Sequence, residues 1–143
     1  MYSILHTAKT SLTKTVTMAG KTYIVEHLDP ELGPWSSLEY LAIAHESQAS
    51  GAKFCLSSLP PAFKVPEELK AVPAFAAETR GVEEMYAQDK TRVCLLDPAA
   101  AKDLSPEDGD TFDAFLFGGI LGKLPAVFVE VPGSGTTFWI NEC

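Results

Sequence analysis

Basic side chains are scarce in this chain of 143 residues: eleven Lys and Arg stand against nineteen Asp and Glu, a formal net charge of −8. A protein that grips nucleic acid by neutralising phosphates needs the opposite balance, so DNA or RNA is disfavoured as the main partner. Long apolar runs are missing too. No stretch approaches the roughly 20 consecutive apolar residues of a membrane span, and none near the N-terminus has the form of a secretory h-region. The expectation is a soluble protein of the cytoplasm, with no membrane partner. There is no CxxC and no metal-ligand His spacing, and the three cysteines, Cys55, Cys94 and Cys143, are an odd number set far apart. A Cys/His zinc site is excluded, no other metal site is indicated, and a reducing compartment fits.

Catalytic fingerprints are also absent. GxGxxG would need glycine where Phe117 stands, no Gly-Lys-Ser/Thr occurs, and Gly133-Ser134-Gly135 lacks the spacing of a nucleophile elbow. NAD, ATP and serine-hydrolase chemistry lose their usual signals. The acids Asp103, Glu107, Asp108, Asp110 and Asp113 miss the calcium-loop spacing and are expected to form a solvated loop.

What is present is the composition of a globular domain, 46% apolar and 21% charged. A chain of this length supports one core. Residues 1–17 contain no acid, two lysines and many Ser and Thr, so residues 1–20 are expected to be an unfolded extension. A transit peptide and an over-extended start at Met18 are the two readings of it.

The β-branched and aromatic run Tyr23 to Leu28, closed by Asp29-Pro30, predicts a first strand. After Gly33-Pro34, Ser36 and Glu39 have capping-box spacing. Trp35, Leu38, Ala42, His45 and Ala49 recur at helical steps, predicting a helix to Ser50, closed by Gly51, with that stripe inside and His45 half-buried. Lys53 to Ser57 predicts a second strand, about 30 residues after the first, the length of a βαβ unit. Pro60, Pro61, Pro66 and Pro73 confine residues 59–74 to loop and short helix. A helix is expected over 75–90. Arg92 to Asp97 and Phe112 to Phe117 predict two more strands, apolar without alternation and so buried on both faces. Residues 126–131 and 136–140 flank Pro132-Gly133-Ser134-Gly135 as a hairpin. The fold class is α/β: an open, mostly parallel sheet with flanking helices, over residues 21–122, followed by a separate tail, 123–143.

Ligands of such sheets bind beyond the carboxyl ends of the strands. The residues found there are Glu26, His27 and Asp29, then Ser57 and Ser58, then Asp97, then Gly118, Gly119 and Gly122. Glu26 and His27 are neighbours on a strand and point to opposite faces, so they cannot form a bonded pair. A carboxylate inside a buried strand needs a donor or a cationic ligand, which makes Glu26 a candidate. Asp97 before Pro98 is either a site residue or a turn-ordering cap.

These segments, with Leu104 to Asp108 and Phe112 to Gly122, resemble in order the eukaryotic SPOUT-class protein arginine methyltransferases, once catalogued as predicted S-adenosylmethionine-dependent RNA methyltransferases. The resemblance implies a SPOUT-like sheet, S-adenosylmethionine held by backbone loops, and methyl transfer to an arginine of a small-subunit ribosomal protein. It assigns cofactor binding to Phe117, Gly118, Gly119, Ile120, Leu121 and Gly122. Glu26 and Asp97 become the catalytic partners of the guanidinium. The likeness stops at Gly122. Residues 123–143 match no block of the family's C-terminal trefoil knot, implying a truncated, inactive form with a substitute ending. A non-catalytic module that holds a basic ribosomal partner is the alternative, and RNA methylation a third.

Overall fold

The computed structural model describes residues 18–96, 102–117 and 141–142. Along the chain run β1 (Thr22–Glu26), α1 (Pro34–Ser50), β2 (Lys53–Ser57), α2 (Glu67–Lys70), β3 (Phe75–Ala77), α3 (Val82–Met85), β4 (Val93–Leu96), α4 (Asp108–Thr111), β5 (Ala114–Phe117) and β6 (Asn141–Glu142). The strands form one sheet in the order β3-β2-β1-β5-β4-β6. Every pairing is parallel, as the βαβ spacing required.

The apolar runs fill both faces. On β1 and β2, Ile24 and Cys55 turn toward the layer that holds Val82 of α3, and Val25, Phe54 and Leu56 turn toward Tyr40 and Ala44 of α1. This is the period-two alternation of a strand with no solvent face. Cys55 is a free, buried thiol that burial pushes up to about 11. Cys94 is fully buried as well.

Helix α1 forms where expected and buries a different stripe. Tyr40, Ala44 and Ser47 are its buried residues, while Trp35 is 65% and Leu38 69% exposed, and His45 is exposed. Both stripes have helical spacing, so period alone could not choose between them. Packing selected the one whose small residues, Ala44 and Ser47, let the helix approach the sheet. The capping box is not used either, because the helix begins at Pro34 with Gly33 as its cap and makes no side-chain cap bond.

At the other end Gly51 takes φ 80°, the left-handed conformation that closes the helix. A Cβ there would meet only ordinary contacts with Ala19, so the cost of Gly51→Ala is conformational. We expect it to lower unfolding free energy by roughly 1–2 kcal/mol in urea titrations; an unchanged midpoint would remove the cap argument.

The helix expected over 75–90 is replaced by β3, a loop and the single turn of α3. Phe75 lies opposite Phe54 with ring centroids 5.9 Å apart, and the open edge of β2 recruits the segment into the sheet. Tertiary pairing overrides an alanine-rich local preference here. The acidic segment is not simply a solvated loop. Asp108, 7% exposed, accepts bonds from Ser105 N–H, Ser105 Oγ and Lys102 Nζ, and Asp113 forms a two-point pair with Arg92 at 2.7 and 2.8 Å. The strand expected from Phe112 therefore starts only at Ala114. The hairpin over 126–140 and residues 1–17 lie outside the described residues. Among the described residues no helix is long and apolar enough to cross a membrane, and no His, Cys, Asp and Glu cluster could hold a metal.

Candidate functional site at the carboxyl rim

The strand order reverses between β1 and β5. From β1 the chain proceeds to β2 on one side, whereas β6, the next described strand after β5, lies on the other. In parallel sheets the crevice at such a reversal is the place for a ligand. Val25 stands opposite Phe117 in register, so the ends of β1 and β5, with Glu26 just beyond that pair, share the crevice.

Glu26 is only 2% exposed. Its Oε1 accepts two hydrogen bonds, from the Val82 N–H at 3.1 Å and from the Ser58 hydroxyl at 3.1 Å. Its Oε2 is buried without a partner among the described residues, and so is the hydroxyl of Ser57, the residue opposite Glu26 in the β1–β2 register. Burial raises the Glu26 pKa, with a small further push from Glu83, against the lowering effect of the two hydrogen bonds. Ser58 has φ 59°, the one non-glycine residue at positive φ among those described. Its N–H donates to the Arg80 carbonyl at 3.0 Å. The ends of β1 and β2 and the first residue of α3 are thus tied together through one carboxylate oxygen.

His27 points the other way, as strand geometry requires. Its Nε2 lies 3.2 Å from the Glu31 carbonyl and its Nδ1 3.0 Å from the Tyr40 hydroxyl. A carbonyl only accepts, so the proton sits on Nε2 and Nδ1 accepts from Tyr40. Burial pushes the Tyr40 phenol up to about 12, keeping it a donor. Edge-on contacts with Tyr40 and Phe63 complete the surroundings of the ring. His27 is a satisfied structural residue that pins the β1–α1 loop.

Phe117, 37% exposed, packs edge-on to Tyr23 at 6.0 Å and lines a cavity of about 570 Å³ between α1 and the sheet. Glu39 lines the same cavity, and its Oε2 is buried without a partner among the described residues. Asp97 and Gly118, Gly119, Ile120, Leu121 and Gly122 lie outside the described residues. Sequence reasoning placed Ser57 and Ser58 on the rim but missed Val82 and Glu39. Val82 acts through its backbone N–H, which leaves no trace in residue type, and Glu39 was read as a cap.

The model of the SFM1-like protein arginine N-methyltransferases matches residues 22–127. The chain belongs to this family. It is 38% identical over 112 residues to protein arginine N-methyltransferase SFM1 of Saccharomyces cerevisiae, which is 72% of this chain and 52% of the yeast protein. The crystal structure of yeast SFM1 complexed with SAM superposes with a TM-score of 0.60 at 37% identity, covering 72% of this chain and 49% of that one. The complex with SAH gives 0.59 at 36% identity, covering 77% and 55%. The chain therefore spans about half the length of the family relatives it matches, and over that span it shares their parallel α/β sheet.

Proposed function

We propose that this chain serves S-adenosylmethionine-dependent methylation of an arginine in a basic protein, a small-subunit ribosomal protein being the substrate class. The observation that carries the reading is the family match across residues 22–127, which includes the reversal point and Glu26. A net charge of −8 suits a basic protein partner. The cavity between α1 and the sheet lies on the face opposite Glu26 and is not assigned to the cofactor. Phe117 with Gly118, Gly119, Ile120, Leu121 and Gly122 would hold S-adenosylmethionine. The bound sulfonium supplies an already activated methyl group.

The protein's own task is then to orient the guanidinium and take up a proton from it. Glu26 and Asp97 are assigned that role. Carboxylates match the guanidinium fork, and Glu26 has one oxygen free of partners among the described residues. The test is incubation of the full chain with tritium-labelled S-adenosylmethionine and purified small-subunit ribosomal proteins. We expect label in one basic protein, recovered as methylarginine after hydrolysis. Label recovered only in RNA would overturn the reading in favour of RNA methylation. Binding of a basic ribosomal protein without label would favour a non-catalytic module, the reading to which the acidic balance of the chain also lends itself.

A further inference from the structure

Three features of the described residues are not explained by the family match alone. They are the strained backbone of Ser58, the two buried unpartnered oxygens at the end of the β1–β2 pair, and the exposed Trp35 and Leu38 of α1. Nothing in the structure shows what would cover the helix face. The first two meet at a single side chain, Glu26.

A non-glycine residue in the left-handed region is held there against a steric cost and persists only where its surroundings over-determine it. Ser58 is held at both ends of its short side chain and backbone: its N–H is tied to the Arg80 carbonyl and its hydroxyl donates to Glu26 Oε1. Val82 N–H binds that same oxygen. Two donors on one oxygen fix the carboxylate plane and use none of the capacity of Oε2. A buried carboxylate oxygen without a partner is costly, and the adjacent Ser57 hydroxyl, also unpartnered, doubles the deficit. The strain and the deficit have one common explanation, a donor-rich ligand that the rim is built to receive.

We propose that Ser58 is the positioning residue of this site, its left-handed backbone and hydroxyl fixing Glu26 Oε1 so that Glu26 Oε2 and the Ser57 hydroxyl receive the N–H groups of a guanidinium. The proposal rests on the arginine-methylation reading for the identity of the ligand. The positioning itself is independent of it. A guanidinium carries five N–H donors in a plane and matches two neighbouring oxygens better than a lysine ammonium does. Ser58 acts through Glu26 and is not itself a reacting group.

The test uses the full chain with carbon-13 labelled glutamate carboxyls, the Glu26 resonance being assigned by its loss in Glu26→Gln. Methylguanidinium is the probe, titrated into the parent, Ser58→Ala and Ser58→Gly. In Ser58→Ala the hydroxyl is gone and the backbone strain stays; in Ser58→Gly both are gone. The parent should show a saturable shift of the Glu26 resonance, weakened about tenfold in both variants by the loss of one hydrogen bond to a charged group. Losing a bond that favours the ionised form should also move the Glu26 titration midpoint upward in both. Ser58→Gly should unfold at a higher temperature than Ser58→Ala, which shows that the fold is retained while the site is lost. Unchanged titration and probe response in both variants would overturn the role of Ser58. A parent that ignores methylguanidinium, with the midpoint still shifted in the variants, would leave the positioning in place and overturn the guanidinium assignment.

Discussion

Replacing Glu26 by glutamine is expected, on the function proposed above, to lower arginine methylation about a hundredfold, the usual loss when a positioned proton acceptor is removed. Affinity for S-adenosylmethionine should stay nearly intact, because the cofactor is assigned to residues 117–122 and not to the Glu26 side chain. The amide oxygen of glutamine can still accept from Val82 N–H and Ser58, so the fold should survive. A second readout follows from the pKa. Burial raises the folded-state value of Glu26 above its ordinary 4.5, so the folded protein holds the proton more tightly than the unfolded chain does. The resulting stability is fully present below the unfolded value and is lost as pH rises through the folded one. Glutamine cannot ionise, so the stability of Glu26→Gln relative to the parent should improve from pH 4 to neutrality. Urea unfolding at several pH values checks this. A constant difference would mean that the Glu26 carboxylate is not desolvated as the structure shows, and an unchanged methylation rate would remove it from the reaction.

Leu116→Ala is expected to cost about 2–5 kcal/mol of folding free energy, enough to lower the melting temperature by roughly 10 °C. Leu116 is fully buried on β5, between β1 and β4, among Ile24, Leu95 and Val82. Strands pair on both sides of it and α3 covers its face, so the neighbourhood can collapse only partly into the space left. Trp35→Ala is the control, since a side chain 65% exposed should change stability by no more than about 0.5 kcal/mol. Scanning calorimetry distinguishes the two. Equal, small shifts for both would contradict the placement of the core between β5 and α3.

The strands that build the rim were legible because each is a short apolar run stopped by a breaker. Tyr23 to Val25 runs into Asp29-Pro30, and Val93 to Leu96 into Pro98. The parallel pairing of β1 and β2 followed from their separation, which is too long for a hairpin turn and right for a crossover helix. Gly51 marked the end of α1 for a local reason, the conformation it adopts. β3 was not legible. Three residues, Phe75 to Ala77, carry too little pattern, and what makes them a strand is the vacant edge of β2.

The sequence by itself determined that β1, β2, β4 and β5 are strands and that their carboxyl ends gather polar residues, because period, breakers and connection lengths are local properties. It also carried the family resemblance over the part that the family model matches. Tertiary structure alone decided which face of α1 is buried, since two adjacent stripes satisfied the same period and only the fit of Ala44 and Ser47 against the sheet separated them. It alone decided the state of Glu26. The groups that bind this carboxylate, Ser58 and Val82, lie 32 and 56 residues away along the chain, and one of them acts through a backbone N–H common to nearly every residue. A hydrogen bond between distant segments depends on where the sheet brings their ends, and no local pattern encodes that meeting.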